Sequence, residues 1–335
     1  CPPAAVEARA KKLACSVLDG RPLRLVARGA DPRTVWAAPH LARELVEVAA
    51  RSFDPGRADR LVVFSANELP LSAAFGSTDA ERNRTLAALR RYFGRIVYQN
   101  QDMHIDGVHV APMGLSWGYM TTFLIDGNKA EGRSASEMLE HFGEILLIGF
   151  SAKSRNILAS WGKVASHLDA KDFMVRYLHR LRGQGRLFPD SNASIEACLK
   201  SVETRQNLRD WAGSAAGRAA GVELRRVRYL EWWMELPKYR FLLCPIGAAV
   251  QTAKVIEALL VLTVPIVDPM GFPVYGMLTN LGFPIVLVGS WAEVTLNKTE
   301  AWWREMSPRL ESFRRNCLTV DAYWGMYTGA IRRCE

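Results

Sequence analysis

The sequence predicts an α/β protein built from two Rossmann-like domains facing a cleft. Two consecutive series of short β-rich runs alternating with helical ones carry that expectation. A globular composition, 49% apolar and 23% charged over 335 residues, supplies apolar surface for two cores. Such alternation implies parallel sheets flanked by helices, with ligands bound outside the strand ends, between the two units. Residues 1–148 are expected to form the first domain and 149–335 the second, with the boundary between Gly143 and Ser154.

The first series opens with the strand "LRLVAR" (Leu23 to Arg28) and a helix from Ala42 to Ala50. It continues with the strand "RLVVFSANE", a helix from Ala80 to Phe93, the strand "RIVYQN" and a short strand, "GVHVAP". A polar, Gly-rich loop, "DGNKAEGRSAS", leads to a helix from Glu137 to Phe142. The second series starts at "RNILASWG", with a helix near Asp172 to Leu181 and another from Ser194 to Trp211. Strands "VELRRV" and "YRFLLCP", the helix Thr252 to Leu262, and strands "VPIVDP" and "FPIVLVG" follow. After "SWAEVT" the segment "EAWWREMSPRLESFRRNCL" has apolar positions at helical spacing. There are no internal repeats.

The formal charge of +9, with Arg favoured over Lys, suits anionic partners such as nucleic acid, a membrane surface or the diphosphate of a nucleotide. The basic residues are scattered and no nucleic-acid module is present, so nucleic acid is not an expected partner. "EALLVLTVPIV" is cut short of a membrane span by Glu257 and Pro265; a membrane anchor outside this sequence stays compatible. Six cysteines form no CxxC pair and no zinc-like spacing, so no metal site is expected. Cys1 with Cys15 and Cys317 with Cys334 fit either disulfides or buried thiols. Sequons at Asn83, Asn192 and Asn297 lean towards secretion.

From Tyr239 to Val267 the order strand, turn, helix, strand is that of one βαβ unit. Its turn, "CPIGAAVQT", holds Gly247 among small residues, which let either a ligand or a neighbouring element approach the backbone. Glu257 sits one helical turn beyond Lys254. It reads equally as half of an exposed ion pair or as an acceptor for ribose hydroxyls.

The order "KYRFLLCP.G", "Q..K..EAL", "PIV" and "GFPIVLVGSWAEVT" resembles the exostosin-like glycosyltransferases, including the ribitol xylosyltransferase-like branch. "RIVYQNQD", "VHVAPMGL" and "ILASWGKVASHLD" look like segments of the same group. The resemblance implies a GT-B architecture and inverting, metal-independent transfer from a nucleotide sugar, such as a UDP-sugar, to a glycan or glycoprotein acceptor. If the chain is eukaryotic, it also implies the Golgi or another secretory compartment. By position it assigns Pro245 and Gly247 to the donor turn, Gln251 and Lys254 to the helix start facing the site, and Glu257 to the ribose. Ile246 and Ala248 depart from the Arg or Ser and the polar residue common in relatives, which leaves basic help to Lys163, Arg155 or Lys254 and keeps open a catalytically reduced paralogue.

Such a reaction needs the departing diphosphate stabilised and the acceptor hydroxyl deprotonated. Gly162 and Lys163, after the strand "ILASWG", lie where the leaving group is expected, although a loop-capping surface lysine fits as well. For the base, "QNQDMHIDGVHV" offers Asp102, His104, Asp106 and His109, with Asp102 first because it is nearest the strand end; Glu68 holds the equivalent place one strand earlier. Trp117 and Tyr119 are the candidates for stacking on an acceptor sugar. Of the pairs Trp232-Trp233 and Trp302-Trp303, at most one member each is expected to share a face with the core, because adjacent helical positions point apart.

Overall fold

The computed structural model describes residues 15–18, 31–65, 69–76, 78–116, 120, 123, 132, 134–160, 191–228, 231–247 and 250–335. The strand expected at Leu23 to Arg28 and the helix near Asp172 to Leu181 lie outside these residues, as does the pairing of Cys1 with Cys15. The described residues form two five-stranded parallel sheets, in agreement with the two alternating series.

The first sheet comprises β1 (Cys15–Leu18), β2 (Thr34–Ala37), β3 (Leu61–Phe64), β4 (Arg95–Tyr98) and β5 (Val108–Val110), arranged in that spatial order. Helices α1 (Ala42–Ser52), α2 (Leu71–Ala74) and α3 (Asp79–Arg90) connect its strands. Successive strand residues point to opposite faces. Val35, Ala37, Val62, Phe64, Ile96 and Tyr98 therefore pack with Leu45, Ala49, Leu86 and Leu89 of the helices. Leu61, Val63 and Val97 form a second, smaller cluster on the other face, with Trp36 and Tyr327 against it.

The chain then enters α4 (Ala135–Leu146), longer than expected because Ser134 and Glu137 close a capping box ahead of it. The second sheet holds β6 (Arg155–Ala159), β7 (Val222–Leu224), β8 (Tyr239–Leu243), β9 (Val264–Val267) and β10 (Val286–Leu287), in the order β10-β9-β8-β6-β7. β9 is buried at every position, as expected of a parallel strand covered on both faces. Around it lie α5 (Ser191–Ala212), α6 (Ala215–Ala219), α7 (Trp232–Glu235), α8 (Lys254–Leu260), α9 (Val274–Asn280) and α10 (Leu296–Cys317). The expected helix at Thr252 to Leu262 is shorter at both ends. No helix among the described residues is long and apolar enough to cross a membrane.

Cys317, at the end of α10, forms a disulfide with Cys334, which resolves one of the open cysteine pairings, while Cys244 is a buried free thiol. The last helix, α11 (Val320–Thr328), leaves the second sheet and packs on the first. The Tyr327 ring meets Trp36 edge-on at 5.5 Å, and Arg95 Nε donates to the Tyr327 carbonyl at 2.6 Å.

The tryptophan expectation fails at Trp232-Trp233, where both rings are buried. α7 is a single turn enclosed from two sides, with Phe142 of α4 edge-on to Trp233 at 4.8 Å and Glu257 of α8 bonded to the Trp232 indole. Trp302 and Trp303 are both half-buried against the core.

Candidate functional site

Strand order in the second sheet reverses between β6 and β8. From β6 the chain moves outward to β7, crosses back to β8 on the other side, and continues to β9 and β10. Connections leaving β6 and β8 therefore diverge, and the crevice outside their carboxyl ends is where open α/β sheets bind ligands. Ser160 follows β6 there, its hydroxyl accepting from the Val227 amide at 3.3 Å. The Cys244 to Gly247 turn follows β8.

That turn is tightly held. The Ile246 carbonyl accepts from Ser201 Oγ and from Arg205, both on α5, at 3.4 Å. A Cβ on Gly247 would sit 2.2 Å from the Gln251 carbonyl oxygen, so only glycine lets the turn fold back on itself. Pro245 and Gly247 are both buried. Sequence reasoning placed the glycine correctly in a turn of close approach, but the group that approaches it is the chain's own backbone.

Gln251 differs from its expected place facing a donor. Its amide oxygen accepts from the Met113 backbone N–H at 3.0 Å, and its nitrogen donates to the carbonyls of Ala111, at 2.9 Å, and Gln99. All three partners lie beyond the carboxyl ends of β4 and β5, so the side chain fastens the second domain's turn to the first sheet. Tyr323 and Tyr327 of α11 reinforce this joint by donating to the Met113 and Pro112 carbonyls at 3.0 and 3.2 Å. The sequence carries no local signal for either contact, since both join segments more than a hundred residues apart.

Lys254 and Glu257 do not form the exposed pair that their spacing allows. Glu257 is 7% exposed and its Oε2 accepts from the Trp232 indole N–H at 2.9 Å. The Lys254 ammonium lies over the Trp232 ring, 3.6 Å from its centroid. Burial raises the Glu257 carboxyl above its ordinary range, opposed by the Lys254 charge and the indole bond. Burial lowers Lys254, opposed by the charges of Glu257 and Cys244. Glu257 Oε1 takes no hydrogen bond from the described residues.

In the first domain, Asp102 caps α2. Its Oδ1 accepts from the Ser72 amide at 3.0 Å and its Oδ2 from the Ser72 hydroxyl. Burial raises its pKa, while the Ser72 bonds and Arg82 oppose the rise. His104 and Asp106 pair with each other at 3.1 Å on the surface, and His109 is exposed. Gln101, next to Asp102, is wholly buried, and neither polar atom of its amide is bonded to a described residue, a feature no sequence pattern announces. Glu68, Trp117, Tyr119, Gly162 and Lys163 lie outside the described residues, as does Ala248.

A cavity of about 590 Å³ opens beyond β9 and β10, with Glu203, Asn207, Trp211, Asp268 and Trp291 among its walls. Burial raises the Asp268 carboxyl; the Met270 amide opposes this, and Glu203 and Glu293 add to it. Among the described residues no Lys, Arg or His lines the cavity, and the lining it shows suits hydroxyl donors better than a phosphate.

No family model and no curated protein matches the sequence. Among solved structures, the chain is similar to a glycosyltransferase from Rickettsia africae at 9% identity, over 93% of this chain and 81% of that one, with a TM-score of 0.31. An α,α-trehalose-phosphate synthase (UDP-forming) from Burkholderia vietnamiensis is similar at 12% identity, over 90% and 69% of the two chains, with a TM-score of 0.35. WaaG, a glycosyltransferase involved in lipopolysaccharide biosynthesis, is similar at 14% identity over 98% and 80%, with a TM-score of 0.29.

Proposed function

We propose that the protein is a nucleotide-sugar-dependent glycosyltransferase of GT-B type, exostosin-like and inverting, acting on a glycan or other hydroxyl acceptor. The observation that carries this reading is the strand-order reversal between β6 and β8, with the Cys-Pro-Ile-Gly turn at the carboxyl end of β8. The sequence resemblance, which assigns donor binding to that same turn and its helix, adds the nucleotide sugar. In this reading the diphosphate occupies the crevice, with Gly162 and Lys163 assigned to it by the sequence, and the ribose hydroxyls meet Glu257, whose Oε1 takes no bond from the described residues and which keeps a small exposure. The sugar extends towards the acidic cavity beyond β9. Asp102 or Glu68 takes the acceptor proton, and Trp117 and Tyr119 are assigned to the acceptor from the sequence alone. The Cys317–Cys334 bridge favours an oxidising, secretory compartment.

A second reading, a nucleotide- or glycan-binding protein without turnover, is favoured by Asp102, whose two oxygens are both engaged by Ser72. Calorimetry with UDP, GDP and their sugars, followed by donor-hydrolysis assays, separates the two. The transferase predicts saturable nucleotide binding that weakens in Glu257→Gln when measured well below that variant's own melting temperature, together with donor turnover abolished by Asp102→Asn or Glu68→Gln. Binding without turnover selects the second reading, and absence of nucleotide binding refutes the first.

A further inference from the structure

The opposite end of the second sheet carries another concavity. A cavity of about 310 Å³ lies at the amino ends of β6 and β8, walled by Phe150, Lys153, Arg240, Trp303, Ser307 and Pro308. Lys153 Nζ donates to the Val261 carbonyl and to the Thr263 hydroxyl, both at 2.7 Å. Thr263 Oγ1 in turn donates to the Tyr239 carbonyl at 2.9 Å, so towards the lysine it is an acceptor.

These bonds use two of the three ammonium N–H groups. The bland account is that Lys153 caps the carboxyl end of α8, which explains those two bonds and nothing more. Among the described residues no carboxylate reaches Lys153, and its charged neighbour is another cation, Arg314, which is held by the carbonyls of Leu146, Ile148 and Leu260 and lies 3.7 Å from Glu311. Burial and Arg314 together bring Lys153 down to about 7. A half-buried ammonium without a counter-charge, beside an open cavity, would recover part of its desolvation cost by pairing with an anion there.

Arg240 brings a second cation to the same wall. Its guanidinium lies 5.6 Å from the Trp303 ring centroid and pairs with Glu300 at 2.8 Å. Glu300 is half exposed, so the pair contributes little and exchanges readily for another anion. Phe150 and Trp303, edge to face at 6.0 Å, supply the apolar wall.

We propose that this cavity binds a small organic anion with a flat apolar body, its charged group on Lys153 Nζ and Arg240 and its body against Phe150 and Trp303. Aryl carboxylates and aryl phosphate monoesters share this chemistry. The site is independent of the donor reading, because it lies at the opposite end of the strands.

The test is calorimetry and tryptophan fluorescence with benzoate, phenyl phosphate and inorganic phosphate at fixed ionic strength. One or both aryl anions should bind saturably, and inorganic phosphate should bind at least about tenfold more weakly. Lys153→Met and the more exposed Arg240→Gln should each weaken aryl-anion binding by at least about tenfold, with melting temperature as the folding control. The ranking of benzoate against phenyl phosphate identifies the preferred headgroup. Absence of saturable binding, or binding undiminished in both variants, overturns the proposal. UDP titrated into the same variants reads the other edge of the sheet, so the two readings fail separately.

Discussion

The two sheets each have five parallel strands, but only the second reverses its strand order. In the first, each described strand is added beside the previous one. Right-handed crossovers then place the connecting helices on one face, and no diverging pair of connections opens a crevice. Its other face is closed by α11, delivered from the far end of the chain. In the second sheet the reversal leaves a crevice, and the fixed Gly247 turn and the buried Glu257 cluster around it. Equal strand number and direction thus give one sheet without a crevice at its strand ends and one with it, the difference lying in connectivity alone.

Several substitutions sharpen or break this contrast. Gly247→Val has the largest expected effect, because its Cβ meets a backbone oxygen that cannot yield; a loss of about 4 kcal/mol in urea denaturation is expected. Glu257→Ala strands the Lys254 charge and the Trp232 indole, and a cost of about 3 kcal/mol should appear in the same measurement. If Glu257→Ala proves nearly neutral, the carboxylate does not stabilise the second core.

Gln251→Ala tests the joint between the sheets. It leaves two carbonyls and one amide of the first sheet unpaired, for about 2 kcal/mol, and should speed hydrogen exchange at Met113 before the rest of β5. Tyr323→Phe removes one reinforcing bond to the Met113 carbonyl, and a loss of about 1 kcal/mol is expected. Lys153 supplies a test of another kind, a slope with pH. Its folded value of about 7 lies below the ordinary 10.5, so between these values the unfolded chain binds more protons and stability rises with pH. The cost of the buried charge is fully present below pH 7. Lys153→Met should flatten the rise, worth at most about 1.4 kcal/mol per pH unit, when urea midpoints at pH 7 and 9 are compared.

Much of the framework was legible in the sequence. The apolar runs at Leu61, Arg95, Tyr239 and Val264 are strands, and the βαβ order around Gly247 holds. Short polar-flanked β2 was not foreseen, because four residues behind a proline carry too little periodicity. The site was less legible, since its chemistry depends on what crosses between distant segments. Gln251 looked like a ligand contact because it begins the donor helix, but pairing three backbone groups of the first sheet fixes its amide. Lys254 and Glu257 at helical spacing fitted a surface pair and a ribose contact equally, and it is the indole of Trp232 on α7, against both side chains, that makes Glu257 buried and Lys254 half-buried.

The return of α11 to the first sheet also sets an order of events during synthesis. Trp36, Val63 and Val97 leave the ribosome long before Tyr327, which follows its partner Arg95 by 232 residues. At about 5–20 residues per second that face waits roughly 10–50 s for its cover. The first domain is thus translated first but finished last, with an apolar surface open meanwhile to chaperones or to a neighbouring nascent chain.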